Sequence, residues 1–209
     1  MVESAVRDGV DAGRSDKGEL RRESILRALE NLLETTTLHE LNVRDISKAA
    51  GVTRSAFYFY FDNKAAAVSE LSKAVDEEVA AASAIYSGGT DDPARQVGQM
   101  IGAVRDTWMR HPHLFRAMRD ARSSDPGVDD LWNRGLEGFV EPVAAVIDSE
   151  RESGRAPVGA DSRMLALVLL ESIARMGDRY WIGDQKAADV AAATQALCAV
   201  WMGSIYGRV

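Results

Sequence analysis

Residues 42–64 read Asn-Val-Arg-Asp-Ile-Ser-Lys-Ala-Ala-Gly-Val-Thr-Arg-Ser-Ala-Phe-Tyr-Phe-Tyr-Phe-Asp-Asn-Lys, and this stretch decides the fold. Asn42 can cap a helix, with Asp45 three residues on in the capping-box position. Val43, Ile46, Ala49 and Ala50 then form one apolar face. Gly51 can take the left-handed conformation that ends a helix, and Val52 can pack beneath the turn. Thr53 caps a second short helix that carries Arg54, Ser55, Tyr58 and Phe59 on its first two turns. Two short helices around such a turn are the layout of a helix-turn-helix, whose second helix enters the DNA major groove.

A plain helical hairpin with Phe57, Phe59 and Phe61 as core is the simpler alternative. It fails on geometry, because successive helical side chains project about 100° apart. Some of Phe57, Tyr58, Phe59 and Tyr60 must therefore face outward, at a cost in solubility unless a partner covers them. Tyrosine hydroxyls suit phosphate oxygens, and aromatic rings can lie on thymine methyls.

The segment Gly51–Lys64 closely resembles the signature of the tetracycline-repressor (TetR) family of bacterial one-component regulators. Two later stretches resemble the ethionamide-repressor (EthR) branch of that family. One is Ala145-Val146-Ile147-Asp148-Ser149-Glu150-Arg151 with Gly154 and Ala156-Pro157; the other is Trp201 with Ser204-Ile205-Tyr206-Gly207. The resemblance implies three DNA-binding helices followed by six in a ligand and dimer domain. It also implies that Thr53, Arg54, Ser55, Tyr58 and Phe59 approach bases or adjoining phosphates, while Arg44, Tyr60 and Lys64 anchor the DNA backbone. Ala56 stands where the family often has a polar residue.

Composition fits such a regulator. The 209 residues are 46% hydrophobic and 27% charged, ordinary values for a globular protein. No run of about 20 apolar residues predicts a membrane span, and the first residues lack the order of a secretory signal. The single cysteine, Cys198, excludes an internal disulfide and suits a reducing cytoplasm. The net charge of -7 is unevenly placed. Residues 1–64 carry 10 basic and 11 acidic side chains, and residues 65–209 carry 15 and 21. Phosphate contact depends on local charge, and Arg21, Arg22, Arg44, Lys48, Arg54 and Lys64 can gather on one face.

Periodicity predicts an all-α chain of about nine helices. A disordered tail over 1–16 precedes the helix-turn-helix DNA-binding domain (17–64) and a ligand-binding and dimerisation domain (65–209). The first helix is expected over about 17–34 and the fourth from Asp62-Asn63 to about Tyr86. Ser87-Gly88-Gly89-Thr90 reads as a loop. Three later helices begin with a cap residue and proline: Asp92-Pro93, His111-Pro112 and Asp125-Pro126. The last should run over 126–153, with a kink at Pro142, and end at Gly154 and Pro157. An eighth helix over about 161–182 and a ninth over about 186–206 complete the set.

In the second domain Val97, Met100, Ile101, Val104 and Trp108 make one apolar stripe, and Trp132, Leu136, Phe139 and Val143 another. Most of these suit a plain core. Two tryptophans, a Phe and a Met beside Gly135, Gly138 and Pro142 are nevertheless hard to pack without a gap. The resemblance places an apolar small-molecule effector there, among the fifth, seventh and eighth helices. Glu171 has two readings, an i+4 partner for Arg175 or a polar ligand contact. The apolar eighth and ninth helices imply a homodimer, which the family builds as a four-helix bundle. His111-Pro112-His113 lacks the further ligands of a metal site. Glu137 and Glu141 read as an exposed acidic face, and no catalytic or cofactor motif is present.

The sequence therefore reads as a ligand-responsive TetR-type repressor released from a pseudo-palindromic, double-stranded operator. It is expected to be cytoplasmic, with no enzyme activity, cofactor, metal or membrane. The alternatives are a helical sensor or carrier that lacks DNA binding, and a TetR-type activator.

Overall fold

The computed structural model describes residues 4–87 and 92–207. Among them are eleven α-helices and no strand. The chain divides into two compact units, Met1–Leu71 and Ser72–Val209. The expected loop over 87–90 falls mostly outside the described residues.

The first unit holds α1 (Ser4–Leu33), α2 (Val43–Ala49), α3 (Arg54–Tyr60) and α4 (Lys64–Leu71). Residues 4–16, read from sequence as a tail, continue α1. They contain no proline to stop a helix, and only Gly9 and Gly13 weaken it. The core forms where periodicity begins: Ile25, Leu29 and Leu33 are buried together with Ile46, Phe57, Phe61 and Val68. Helix α4 packs on α1, and Arg22 joins them through an ion pair with Glu70. This unit thus has four helices rather than three, and its boundary lies at Leu71 instead of Lys64.

The second unit comprises α5 (Lys73–Ala84), α6 (Pro93–Arg110), α7 (Pro112–Ser124), α8 (Pro126–Glu137), α9 (Val140–Glu152), α10 (Ser162–Met176) and α11 (Ala187–Tyr206). Helix α6 packs on α5 and α11, while α10 packs on α9. Two of the proline starts carry a side-chain cap. Asp92 accepts from the Arg95 amide at 3.1 Å and Asp125 from the Gly127 amide at 2.9 Å.

The expected long helix over 126–153 is two helices. Pro142 has no N–H to donate to the Gly138 carbonyl, and the chain solves this by stopping at Glu137 and restarting at Val140. Pro142 then sits in the first turn of α9, where its missing N–H costs nothing. Arg163 spans the break, pairing with Glu137 and, at 3.0 Å, with Glu141. These acids are therefore partnered. At the other end of α9, Gly154 adopts φ +74 and lets the Arg155 amide reach the Glu150 carbonyl at 2.9 Å.

Helix α10 runs into a π-helical turn over Gly177–Trp181. A Cβ added to Gly177 would lie 2.7–2.9 Å from three ring atoms of Trp108. The residue has ordinary helical angles (φ -57, ψ -53), so only the ring demands glycine. Helix α11 is long and apolar enough by composition to cross a membrane. Its apolarity is used in part inside the unit, where Val190, Leu197, Trp201 and Ile205 are buried.

Gly177→Ala should oppose its helix propensity. Alanine favours a helix by up to about 1 kcal/mol, yet overpacking against Trp108 should cost about 1–3 kcal/mol. Thermal unfolding should show a net loss of stability; a gain would mean the ring moves away freely.

Candidate nucleic-acid interface and the aromatic centre of the second unit

Helix α3 has seven residues, too few to be stable alone. Its start is fixed by Thr53, whose Oγ1 accepts from the Ala56 amide at 3.2 Å and lies 3.0 Å from the Ser55 hydroxyl. The preceding turn closes through the Val52 amide on the Ser47 carbonyl (2.9 Å), with Gly51 at φ +67. Upstream, Asn42 and Asp45 form the reciprocal capping box of α2.

Two rings anchor α3. Phe57 is 0% exposed and Phe61 6%, with centroids 5.7 Å apart. The other aromatics are displaced outward. Phe59 is 80% exposed and Tyr58 49%, while Tyr60 is half-buried. Each is braced edge-on by a neighbour, Tyr58 on Phe57 at 5.6 Å and Phe59 on Tyr60 at 5.0 Å. Thr53, Arg54 and Ser55 are also exposed. These exposed residues therefore present three hydroxyls, a guanidinium and two rings.

Beside it lies an open concavity of about 730 Å³. His39, Asn42 and Arg44 are on one side, with Arg54, Tyr58 and Asn63 also lining it. Arg44 and Arg54 are exposed, and among the described residues neither has an ion-pair partner. Arg22 and Lys64 behave differently from the cluster expected of them. Arg22 pairs with Glu70 and Glu19 and lies 5.9 Å over the Phe61 ring; the hydrogen bond it donates to Glu70 raises its pKa above the ordinary arginine value. Lys64 donates to the carbonyls of Leu38 and Leu41. The ammonium expected to anchor the DNA backbone is thus engaged within its own unit.

In the second unit Val97, Met100, Ile101, Val104 and Trp108 all point into the core. Trp108 is the hub. Phe115 stacks on it at 4.0 Å, and Trp132 and Trp181 meet it edge-on at 6.3 and 6.0 Å. Arg122 covers Trp132 at 4.5 Å and reaches Asp129 at 3.1 Å and Asp178 at 3.8 Å. Burial raises the pKa of the Asp178 carboxyl above the usual aspartate value, against the pull of Arg122. Sequence reading found Trp108 and Trp132 but missed Phe115 and Trp181. The stripe Leu114, Phe115, Met118 and Ala121 carried the signal for Phe115; nothing local marked Trp181.

Phe139 is half-buried at the start of α9, with no ring partner among the described residues. Glu171 is exposed. Leu169, Leu170 and Ile173 take the inner face of α10, so Glu171 lies away from the Trp108 cluster. No ion pair joins it to Arg175 among the described residues.

Residues 25–71 match the family described as bacterial regulatory proteins, tetR family, and residues 97–207 match the C-terminal domain of the transcriptional regulator EthR. The chain belongs to the TetR family. It is 31% identical over 193 residues to the HTH-type transcriptional regulator EthR of Mycobacterium tuberculosis, covering 91% of this chain and 89% of that one. The EthR of Mycolicibacterium smegmatis is 30% identical over 200 residues, covering 92% and 89%.

Solved structures share the fold. The fatty acid degradation regulator FadR from Bacillus halodurans superposes with a TM-score of 0.68 at 18% identity, over 88% of this chain and 96% of that one. A transcriptional regulator from Saccharomonospora viridis, solved with choline, gives 0.64 at 18%, over 90% and 98%. These relatives are regulators and not enzymes. TetR-family regulators bind operator DNA and form dimers.

The two faces of α3 should separate by mutation. Phe57→Ala should cost about 3–5 kcal/mol of stability, whereas Phe59→Ala should leave it within about 0.5 kcal/mol. Chemical denaturation of both variants checks this; comparable losses would place Phe59 in the core.

Proposed function

We propose that this regulator is a dimeric repressor that leaves a pseudo-palindromic operator when an apolar or amphipathic small molecule binds its second unit. The observation that carries the DNA half is the outer face of α3, where Thr53, Arg54, Ser55, Tyr58 and Phe59 stand clear of the anchoring rings. Arg54 and Ser55 suit base edges or nearby phosphates, Tyr58 suits phosphate oxygens, and Phe59 suits thymine methyls. Arg44 and Tyr60 serve as backbone contacts at the flanks. In a two-fold dimer, two such helices enter successive major grooves about 34–36 Å apart.

The effector half rests on the Trp108 cluster, with the Val97–Val104 stripe beneath it and Trp132 and Phe139 half-buried at its edge. Rings of this kind favour an apolar ligand with few polar contacts. Such a ligand releases the operator only by preferring the protein conformation that fits DNA less well.

Helices α10 and α11 support the dimer. Met164 and Val168 on α10 and Val200 on α11 are 51%, 61% and 50% exposed, beside exposed Ala192, Ala196 and Ala199. Leu197 and Ile205 point inward, so they belong to the protomer core and not to the partner face.

Arg54→Ala and Tyr58→Ala should each weaken operator binding by about 1–3 kcal/mol while leaving the melting temperature unchanged. Mobility shifts on intergenic DNA beside the gene, with melting curves, test this. Unaltered DNA affinity in both would remove the recognition-helix assignment and favour the carrier reading.

Val168→Arg and Val200→Arg should fold and yet shift the protein to monomer, because pairing would bury a charge without a partner. Leu197→Arg should fail to fold instead. Sedimentation velocity separates the cases, and a wild-type monomer at micromolar concentration would sink the dimer.

A further inference from the structure

Lys64 stands at the head of α4, among the residues lining the concavity beside α3. Its Nζ donates to the Leu38 carbonyl at 2.6 Å and the Leu41 carbonyl at 2.5 Å. Those carbonyls belong to the turn between α1 and α2. The Glu40 carboxylate closes that turn by accepting from the Thr37 amide (3.0 Å) and hydroxyl (2.8 Å). The Leu41 amide also returns to the Thr37 carbonyl at 3.2 Å. Leu38 and Leu41 are buried, so Lys64 fastens the turn from its polar side while these side chains fasten it from the apolar one.

Asn42 follows Leu41 directly and caps α2, which carries Arg44 in its first turn. The position of Arg44 opposite Arg54 and Tyr58 thus depends on the turn that Lys64 holds. The ammonium itself is half-buried, and that burial lowers its pKa from the ordinary lysine value. Two of its three N–H groups are spent on carbonyls. Turning the ammonium out onto a phosphate would leave those oxygens without their charged donor, a loss that an exposed phosphate contact does not repay; while the turn is fastened, one N–H is all it has left to offer.

We infer that Lys64 is a positioning residue for operator binding: it locks the 38–41 turn so that Arg44 faces the groove beside α3, and it does not itself neutralise a phosphate. This deepens the DNA-binding reading above and rests on it.

The two roles differ in salt dependence. Losing a phosphate contact lowers the slope of log affinity against log salt by about one, whereas losing a positioning group weakens binding without that change. The probe is a duplex selected from random sequence by the full-length wild-type protein. Lys64→Met removes the donors and the charge, Lys64→Gln removes the charge but keeps an N–H donor, and Arg44→Met supplies the phosphate-contact reference.

Lys64→Met should bind at least about tenfold more weakly with the wild-type slope, while Arg44→Met should lose about one from the slope. Lys64→Gln should recover part of the affinity, again with the wild-type slope, and it serves as the test if Lys64→Met melts below the assay temperature. Amide exchange should quicken at residues 41–46 in Lys64→Met. A slope lowered by about one in either Lys64 variant, or wild-type affinity in Lys64→Met, would overturn the inference. Failure of the wild-type protein to select any duplex would instead overturn the DNA-binding reading, and the inference with it.

Discussion

A helix of seven residues has almost no stability of its own, since nucleating the first turn costs more than so few hydrogen bonds return. Both α2 and α3 are of that length, so the first unit depends on the burial of Phe57 between elements that cannot stand without it. Phe57 and Phe61 fix the rotation of α3 about its axis. Once they are placed, the helical repeat leaves Tyr58 and Phe59 no inward direction. The outward display of Arg54, Ser55, Tyr58 and Phe59 follows from that constraint, and the caps at Asn42 and Thr53 set only where each helix begins. Arg22 and Lys64 complete the frame by spending their charge on Glu70 and on the turn before α2.

The second unit is organised around a ring instead of a turn. Trp108 touches three other aromatics, and Gly177 lets the backbone of the π-helical turn press against its remaining face. A π turn inserts an extra residue into the helical repeat. Here it brings Trp181 to Trp108 and sets Asp178 within reach of Arg122. Polar and aromatic partners from α7, α8 and the turn after α10 therefore meet at one place. A molecule that shifts one of those rings must disturb the others, because close-packed side chains do not deform singly.

What the sequence disclosed was the local part. The capping box at Asn42 and Asp45, the left-handed Gly51, the proline starts and the stop at Gly154 each rest on residues within a turn of one another. The all-α class followed from the same short-range signals. Pro142 correctly marked an interruption, but whether a helix bends at proline or restarts just before it depends on what packs alongside. Partners distant in the chain were not legible. Lys64 looked like one more surface cation, because nothing near it shows that Leu38 and Leu41 offer two carbonyls. Glu171 stands among apolar neighbours in sequence, yet it falls on the outer side of α10. Leu197 and Ile205 are as apolar as Val200, and only the packing of α11 against α6 decides which of them face outward.

The exposure of Phe59 has a thermal consequence. A phenyl ring left 80% in water carries a shell of hydration that raises the heat capacity of the free protein. Covering that ring with thymine methyls removes the shell, so association would carry a negative heat-capacity change alongside its electrostatic part. The enthalpy of operator binding would then become more favourable as temperature rises, with entropy moving the opposite way. On the proposed reading, ionic contacts from Arg44 and Arg54 would set how strongly binding answers to salt, while this one apolar ring would give it a separate answer to temperature.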